Sequence, residues 1–273
     1  MELFLHVSLQ THNKEADGMI LSELRKIVNY KLIWLVIIVS LSFTCASAAS
    51  AFQSWNFSSV DNSNIIYSEI HYVAVSEFGV AAFACLFGTL ENAFDTWNIT
   101  FMNSLSRNRV FLTKSLVAVA ASITLGIFSL IFISAIALFE MYFNSAHVLY
   151  IDLLKTIINV LPRLAVASAY VGLFWFLIGL FIRSQLVSIS VCLIYLGGIS
   201  RILPAVNTKI FGFLPEWALQ SILSPPTFSS FSLSGDISGP NRYHTLTLQL
   251  ATLDLLAIIA VLFVGSYLRF RNI

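Results

Sequence analysis

The run 115–139, SLVAVAASITLGIFSLIFISAIALF, contains no Asp, Glu, Lys, Arg or His. About 20 apolar residues suffice to cross a bilayer as a helix, and only a helix or a closed barrel keeps every backbone polar group satisfied there. A run of this kind therefore fixes the solvent before it fixes the fold. It does not stand alone. The uncharged segment 32–52 and the body LAVASAYVGLFWFLIGLFI ending at Ile182 are of the same kind. With 58% hydrophobic and 11% charged residues, the chain has too little polar side chain to wrap its 273 residues as one soluble core. An all-α membrane protein is expected.

Six spans can be placed, at about 32–52, 70–90, 115–139, 162–182, 186–203 and 247–268. The fifth is the weakest, because Gly197, Gly198, Arg201 and Pro204 interrupt it. Orientation follows from Lys and Arg near the helix ends. With the N-terminus inside, Lys14, Arg25, Lys26, Lys31, Arg107, Arg109, Lys114, Arg183, Arg269 and Arg271 face the cytoplasm. Lys155, Arg163, Arg201, Lys209 and Arg242 remain outside, spread over longer loops. Both termini are therefore expected in the cytoplasm, in a multi-pass protein of the cell membrane.

Residues 1–16 read as a cytoplasmic tail, 17–31 as an amphipathic helix and 32–273 as the transmembrane domain. The tail's apolar run is too short for a signal peptide and no cleavage site of small residues follows it, so 32–52 is expected to be a retained anchor. In 17–31, Ile20, Leu24, Ile27 and Val28 recur at helical spacing, with Glu23, Arg25, Lys26 and Lys31 elsewhere. Such a helix is expected to lie flat in the cytoplasmic interface. Between the fifth and sixth spans, FGFLPEWALQSIL reads as a short outer helix beginning near Pro215. In the loop 140–161, DLLKTIINVLPRL reads as a second short helix along the outer surface.

Several chemistries are missing. Cys45, Cys85 and Cys192 lie inside apolar runs without metal-ligand spacing and read as lipid- or core-facing residues. No hydrolase signature and no G-x-x-x-x-G-K-[ST] phosphate loop occurs, so the chain carries no ATP site of that type and no catalytic, cofactor or metal residue is assigned. No basic stripe with interleaved aromatics points to nucleic acid. Two acids, Glu77 and Asp254, lie within spans, each about eight residues from the outer end. Burying a carboxylate there costs about 2.5–3.5 kcal/mol, so a partner is expected. Arg163 is the best-placed cation, giving a candidate outer polar cluster of Glu77, Arg163 and Asp254; the alternative is that each acid has its own Ser or backbone partner.

The segment 91–114, ENAFDTWNITFMNSLSRNRVFLTK, is the charged connection between the second and third spans. Its order is Glu91, Asp95, Thr96, then Ser106-Arg107, then Lys114 opening the third span. This resembles the ABC-2 type membrane permease family, in which E-x-x-x-G-T is followed by S-R and then by a Lys seven residues on. Asp95 stands where the family usually has Gly. The six-span layout, the amphipathic helix before the first span and the short outer helices are also similar. The resemblance implies that Glu91, Asp95, Thr96, Ser106, Arg107 and Lys114, with Glu23, Arg25 and Lys26 of the N-terminal helix, take up motion from a separate cytoplasmic ATP-binding subunit carrying ATP and Mg. It also implies a second permease chain as partner and export of a drug, peptide or lipid-like substrate. A proton-coupled secondary transporter, or a non-transporting membrane sensor or assembly protein, is the alternative.

Overall fold

The computed structural model describes residues 18–53, 77–94, 106–143, 150–196, 215 and 248–271. Among them the only regular elements are helices, seven in number: α1 over 18–29, α2 Lys31–Gln53, α3 Glu77–Phe94, α4 Arg107–Phe143, α5 Tyr150–Ile182, α6 Gln185–Ile194 and α7 Leu248–Arg271. Three stretches are long and apolar enough to cross a bilayer: Arg107–Ile136, Ile157–Ile182 and Gln249–Arg271. The apolar stretches Lys31–Ser42, Gly79–Asn92 and Gln185–Ile194 are shorter. Composition and helix length together mark this as a helical membrane protein.

The described helices differ from the apolar runs mainly at their ends. α4 begins at Arg107, so the segment from Arg107 to Lys114 is helix and not loop. Ser106 caps it, its Oγ accepting a hydrogen bond from the Arg109 N–H at 3.4 Å. α5 is continuous from Tyr150 to Ile182 with Pro162 inside it. The expected short surface helix over 152–164 is thus part of α5, carried through a proline that removes one backbone donor and stays in the helix. The outer helix around 211–223 lies, apart from Pro215, outside the described residues, as does the second half of the fifth span.

α3 is the axis of the packing. Ala81, Phe83, Ala84, Cys85, Leu86, Phe87, Thr89, Leu90 and Glu91 are all buried, because α2, α4, α5 and α6 all pack against it. Its closest neighbour is α5, and glycines set that distance. A Cβ on Gly88 would lie 2.6 Å from the Phe176 carbonyl oxygen, and one on Gly179 would lie 2.7 Å from that of Cys85. Between α4 and α5 the same device recurs in reciprocal form, Gly126 against Ser168 and Gly172 against Ser122. In lipid no hydrophobic force draws helices together, so close packing through small residues supplies the contact. Phe87 fills the space beside these crossings, with ring centroids 6.1 Å from Phe83 and 5.8 Å from Phe176.

The outside of the bundle is apolar. Leu35, Ile38 and Val39 on α2, Phe128 and Ile131 on α4, and Leu253, Leu256 and Val261 on α7 are all exposed. That inverts the soluble pattern and suits hydrocarbon.

Polar contacts identify one end of the bundle. There α1, the start of α2, the end of α3, the start of α4, the α5–α6 turn and the end of α7 come together. Tyr30 Oη and the Gln185 side-chain amide share hydrogen bonds at 3.0 and 3.3 Å. Arg107 Nη1 donates to the Arg271 carbonyl at 2.6 Å and Arg183 Nη2 to that of Arg269 at 3.2 Å. Arg25, Lys26, Lys31, Arg107, Arg109, Lys114, Arg183, Arg269 and Arg271 all belong to this end, whereas Lys155 and Arg163 lie toward the other end of α5.

Gly88→Val forces a side chain into the α5 backbone and is expected to lower stability by about 1–3 kcal/mol. Gly265→Ala, with nothing within 4 Å of the added Cβ, is expected to be neutral or to gain up to about 1 kcal/mol from helix propensity. Thermal unfolding in detergent measures both. Equal midpoints for the two variants would contradict the α3–α5 contact.

Candidate functional site

Four ionised side chains from three helices meet at that end. Glu23 and Lys26 come from α1, Glu91 from the last turn of α3 and Lys114 from the third turn of α4. Lys114 Nζ donates to Glu23 Oε2 at 2.8 Å and to Glu91 Oε1. Lys26 Nζ donates to Glu23 Oε1 at 2.6 Å and to Glu91 Oε1 at 3.0 Å. The four form a closed ring in which each charge faces two of opposite sign and the total is zero.

Local structure explains how each group arrives. In α1 and at the Tyr30 that follows it, the residues at helical spacing toward the bundle are Met19, Ile20, Ile27 and Tyr30, all packed against the core, with Glu23 and Lys26 between them. Leu21, Leu24 and Val28, by contrast, are exposed. The single apolar face expected from Ile20, Leu24, Ile27 and Val28 is therefore divided: Ile20 and Ile27 face the bundle, Leu24 and Val28 face away. The polar pair Glu23 and Lys26 stays on the inner face because Glu91 and Lys114 await it there.

Glu91 is unfavourably placed by its own helix, since a carboxylate in a last turn meets the negative end of the helix dipole. Two ammonium groups offset this. Its Oε1 receives both of them, while Oε2 is buried without a hydrogen bond. Lys114 lies on the inner face of α4 with Phe111 and Ala118, and its ammonium lies 5.2 Å from the Phe87 ring centroid. That position adds a cation–π attraction, worth about 2 kcal/mol where the cation is desolvated. Glu23, Glu91 and Lys114 are each at most 2% exposed, whereas the Lys26 side chain keeps 35% of its surface. Burial alone would lower the pKa of Lys26, but the Glu91 and Glu23 carboxylates raise it above the ordinary lysine value. It is therefore charged at neutral pH, and the stability it supplies is present below its unfolded value and lost only as pH rises through the raised one.

The other candidate residues sit apart from this ring. Arg107 is exposed at the first turn of α4 and holds the last turn of α7 through the Arg271 carbonyl. Beside it, Tyr267 Oη donates to Asn108 Oδ1 at 2.9 Å, and Phe111 packs on Phe263, Tyr267 and Phe270 with centroids 4.9, 5.6 and 5.4 Å away. Ser106 serves as the cap described above. Arg25 is exposed on α1. Asp95 and Thr96 lie outside the described residues. Glu77 opens α3, but its side chain is also outside them. Arg163 is half-buried on α5, and Asp254 on α7 has a buried Oδ2 without a hydrogen-bond partner, so no described side chain, Arg163 included, bonds that oxygen. Among the described residues no three His, Cys, Asp or Glu side chains form a metal-ligand group.

Sequence reasoning named all four ring residues but assigned them to two separate features. The signal for joining them was the stripe Ile20, Glu23, Ile27, Tyr30, whose spacing places Glu23 on a buried face. No protein-family model matches the chain, and no curated protein matches it in sequence.

Removing one member of a buried ion group costs about 3–5 kcal/mol, because the partners stay buried and unbalanced, whereas replacing the whole group with apolar residues is often neutral. Lys114→Met is therefore expected to destabilise by that amount, and Lys26→Met, which removes a half-exposed group, by less. The fourfold variant with Leu or Met at 23, 26, 91 and 114 is expected to recover most of the Lys114→Met loss. Unfolding in detergent would contradict the ring if Lys114→Met fell no further than Arg25→Met.

Proposed function

We propose that this chain is the membrane-spanning permease subunit of an ABC transporter, driven by ATP that a separate cytoplasmic subunit hydrolyses. On this reading six helices cross the cell membrane, both chain ends are cytoplasmic and α1 lies at the cytoplasmic interface. Two permease chains pair around the transport path, since a single six-helix chain encloses little space. ATP and Mg belong to the partner subunit. Export of a drug, peptide or lipid-like substrate is the direction that the resemblance to ABC-2 permeases supports.

The observation that carries this reading is the ion ring. Glu91 and Lys114 bracket the segment that resembles the family's coupling region, and both bond to Glu23 and Lys26 of the N-terminal helix. A coupling device must turn a push at the surface into movement of spans. The ring ties α1, the end of α3 and the start of α4 into one unit, and α4 extends that unit into the membrane. Along α4, the Gly126–Ser168 and Ser122–Gly172 contacts pass displacement to α5. Arg107 and Arg109, exposed on the first turn of α4, are the groups on which an ATPase subunit would bear. The ring residues serve as internal fasteners of the lever, and the arginines as its outer contact.

A soluble ATPase is expected to co-purify with the chain from its native membrane. Arg107→Ala with Arg109→Ala is expected to lower transport and substrate-stimulated ATP hydrolysis at least tenfold while insertion is retained and stability falls by no more than about 1 kcal/mol, the loss of the exposed Arg107 bond to the Arg271 carbonyl. Unchanged transport in this variant, or transport that resists vanadate, would refute the reading. One observation favours a secondary transporter instead: the unpartnered buried oxygen of Asp254 on α7. Collapse of transport by an uncoupler, with Asp254→Asn inactive, would decide for that alternative.

A further inference from the structure

At the same end of the bundle, Arg183 and Arg269 form a cationic corner unrelated to the ion ring. Arg183 follows α5 with φ 66, the only described non-glycine residue at positive φ. Its N–H closes the helix on the Gly179 carbonyl at 3.0 Å. This is the position at which glycine or asparagine is favoured, and a longer side chain there costs about 1–2 kcal/mol. An arginine at that cost points to use of its guanidinium. Nη2 donates to the Arg269 carbonyl at 3.2 Å, while Nε is buried without a partner. The Arg269 guanidinium lies 4.6 Å over the Phe181 ring. Among the described residues no carboxylate pairs with either arginine, since Glu23 and Glu91 are taken by Lys26 and Lys114. Burial, and then the charge of Arg269, lower the Arg183 pKa, as expected of two cations without a counter-ion.

The surroundings are apolar and open. Phe181, Leu186, Val187 and Leu268 are 47%, 81%, 50% and 52% exposed. A ligand that fits must be anionic at one end and hydrocarbon at the other, and must be present where helix ends meet the bilayer surface. We infer that this corner, between the α5–α6 turn and the end of α7, is a binding site for an anionic phospholipid, with Arg183 and Arg269 holding its phosphate and Phe181, Leu186 and Val187 lining its acyl chains. Guanidinium forks match phosphate oxygens in pairs, so two arginines can hold one headgroup. The inference requires the chain to sit in a bilayer and does not depend on the transporter reading.

The test uses the full chain in phosphatidylcholine bilayers with trace spin-labelled phosphatidylglycerol or spin-labelled phosphatidylcholine. One basic residue near an anionic lipid is worth about fivefold in association. The wild type is expected to prefer the glycerol lipid, and Arg269→Gln to reduce that preference about fivefold. Arg269→Gln leaves the Arg183 bond to the 269 carbonyl intact, so folding is retained, with the unfolding temperature as control. Arg25→Gln removes an exposed cation at the same end and is expected to leave the preference within twofold of wild type. No preference in the wild type, or equal losses in Arg25→Gln and Arg269→Gln, would overturn the site in favour of diffuse surface charge. Displacement of the labelled lipid by inorganic phosphate at equal concentration would overturn the lipid assignment in favour of a soluble phosphate. An unaffected Arg107→Ala, Arg109→Ala variant keeps the result separate from the coupling surface.

Discussion

Charge that must be buried at the end of an apolar bundle is the constraint on which the packing at that end depends. Glu91 cannot reach water, because α3 is enclosed by α2, α4, α5 and α6. Once it is ionised there, Lys114 must face it, which sets the rotation of α4 about its axis. Lys114 then needs a second anion, and Glu23 supplies it, which sets where α1 lies. Lys26 closes the ring from the half-exposed rim. Such groups add little net stability compared with apolar replacements, so their value lies in specifying one arrangement over others. Three helices that could otherwise slide in lipid are thereby given one register.

This explains which parts of the fold were legible in the amino-acid sequence. Hydropathy located the bodies of α2, α4, α5 and α7, because each of these helices must present apolar side chains to lipid whatever its partners. It missed the first turns of α4, where Arg107, Asn108 and Arg109 are helical under the Ser106 cap and yet too polar to count as span. It also missed the early start of α5, because Pro162 reads as a breaker although the helix passes through it. Glycine pairs such as Gly88 with Gly179 have no signature in one sequence, since their meaning lies in the opposing helix.

The candidate site divides in the same way. Glu91 and Lys114 stood out because they bound the charged connection between two apolar runs, at a spacing that resembles one family's motif. Glu23 and Lys26 were named as well, but not as their partners, because a hydrophobic count on α1 puts Leu24 and Val28, which the structure turns outward, on the buried face in place of Glu23 and Lys26, which it turns in. The deciding quantity was partner availability, and that is a tertiary property. Arg183 and Arg269 were legible only as topology-setting positive charge. Their adjacency comes from the α5–α6 turn folding back onto the end of α7, where Ser266 Oγ also donates to the Leu177 carbonyl at 3.0 Å.

The ring and the arginine corner resolve the same electrostatic problem in opposite ways. In the ring, two cations and two anions cancel, the contacts are internal, and no exterior charge is required. At the corner two cations are left without a described carboxylate, so the field is directed outward, over an apolar wall formed by Phe181, Leu186 and Val187. A balanced group fastens helices to one another, while an unbalanced one fastens the bundle to whatever anion the bilayer surface provides. The two groups are joined through the bundle, because Arg107 and Phe111 at the start of α4, the helix that carries Lys114, also hold the end of α7, the helix that carries Arg269.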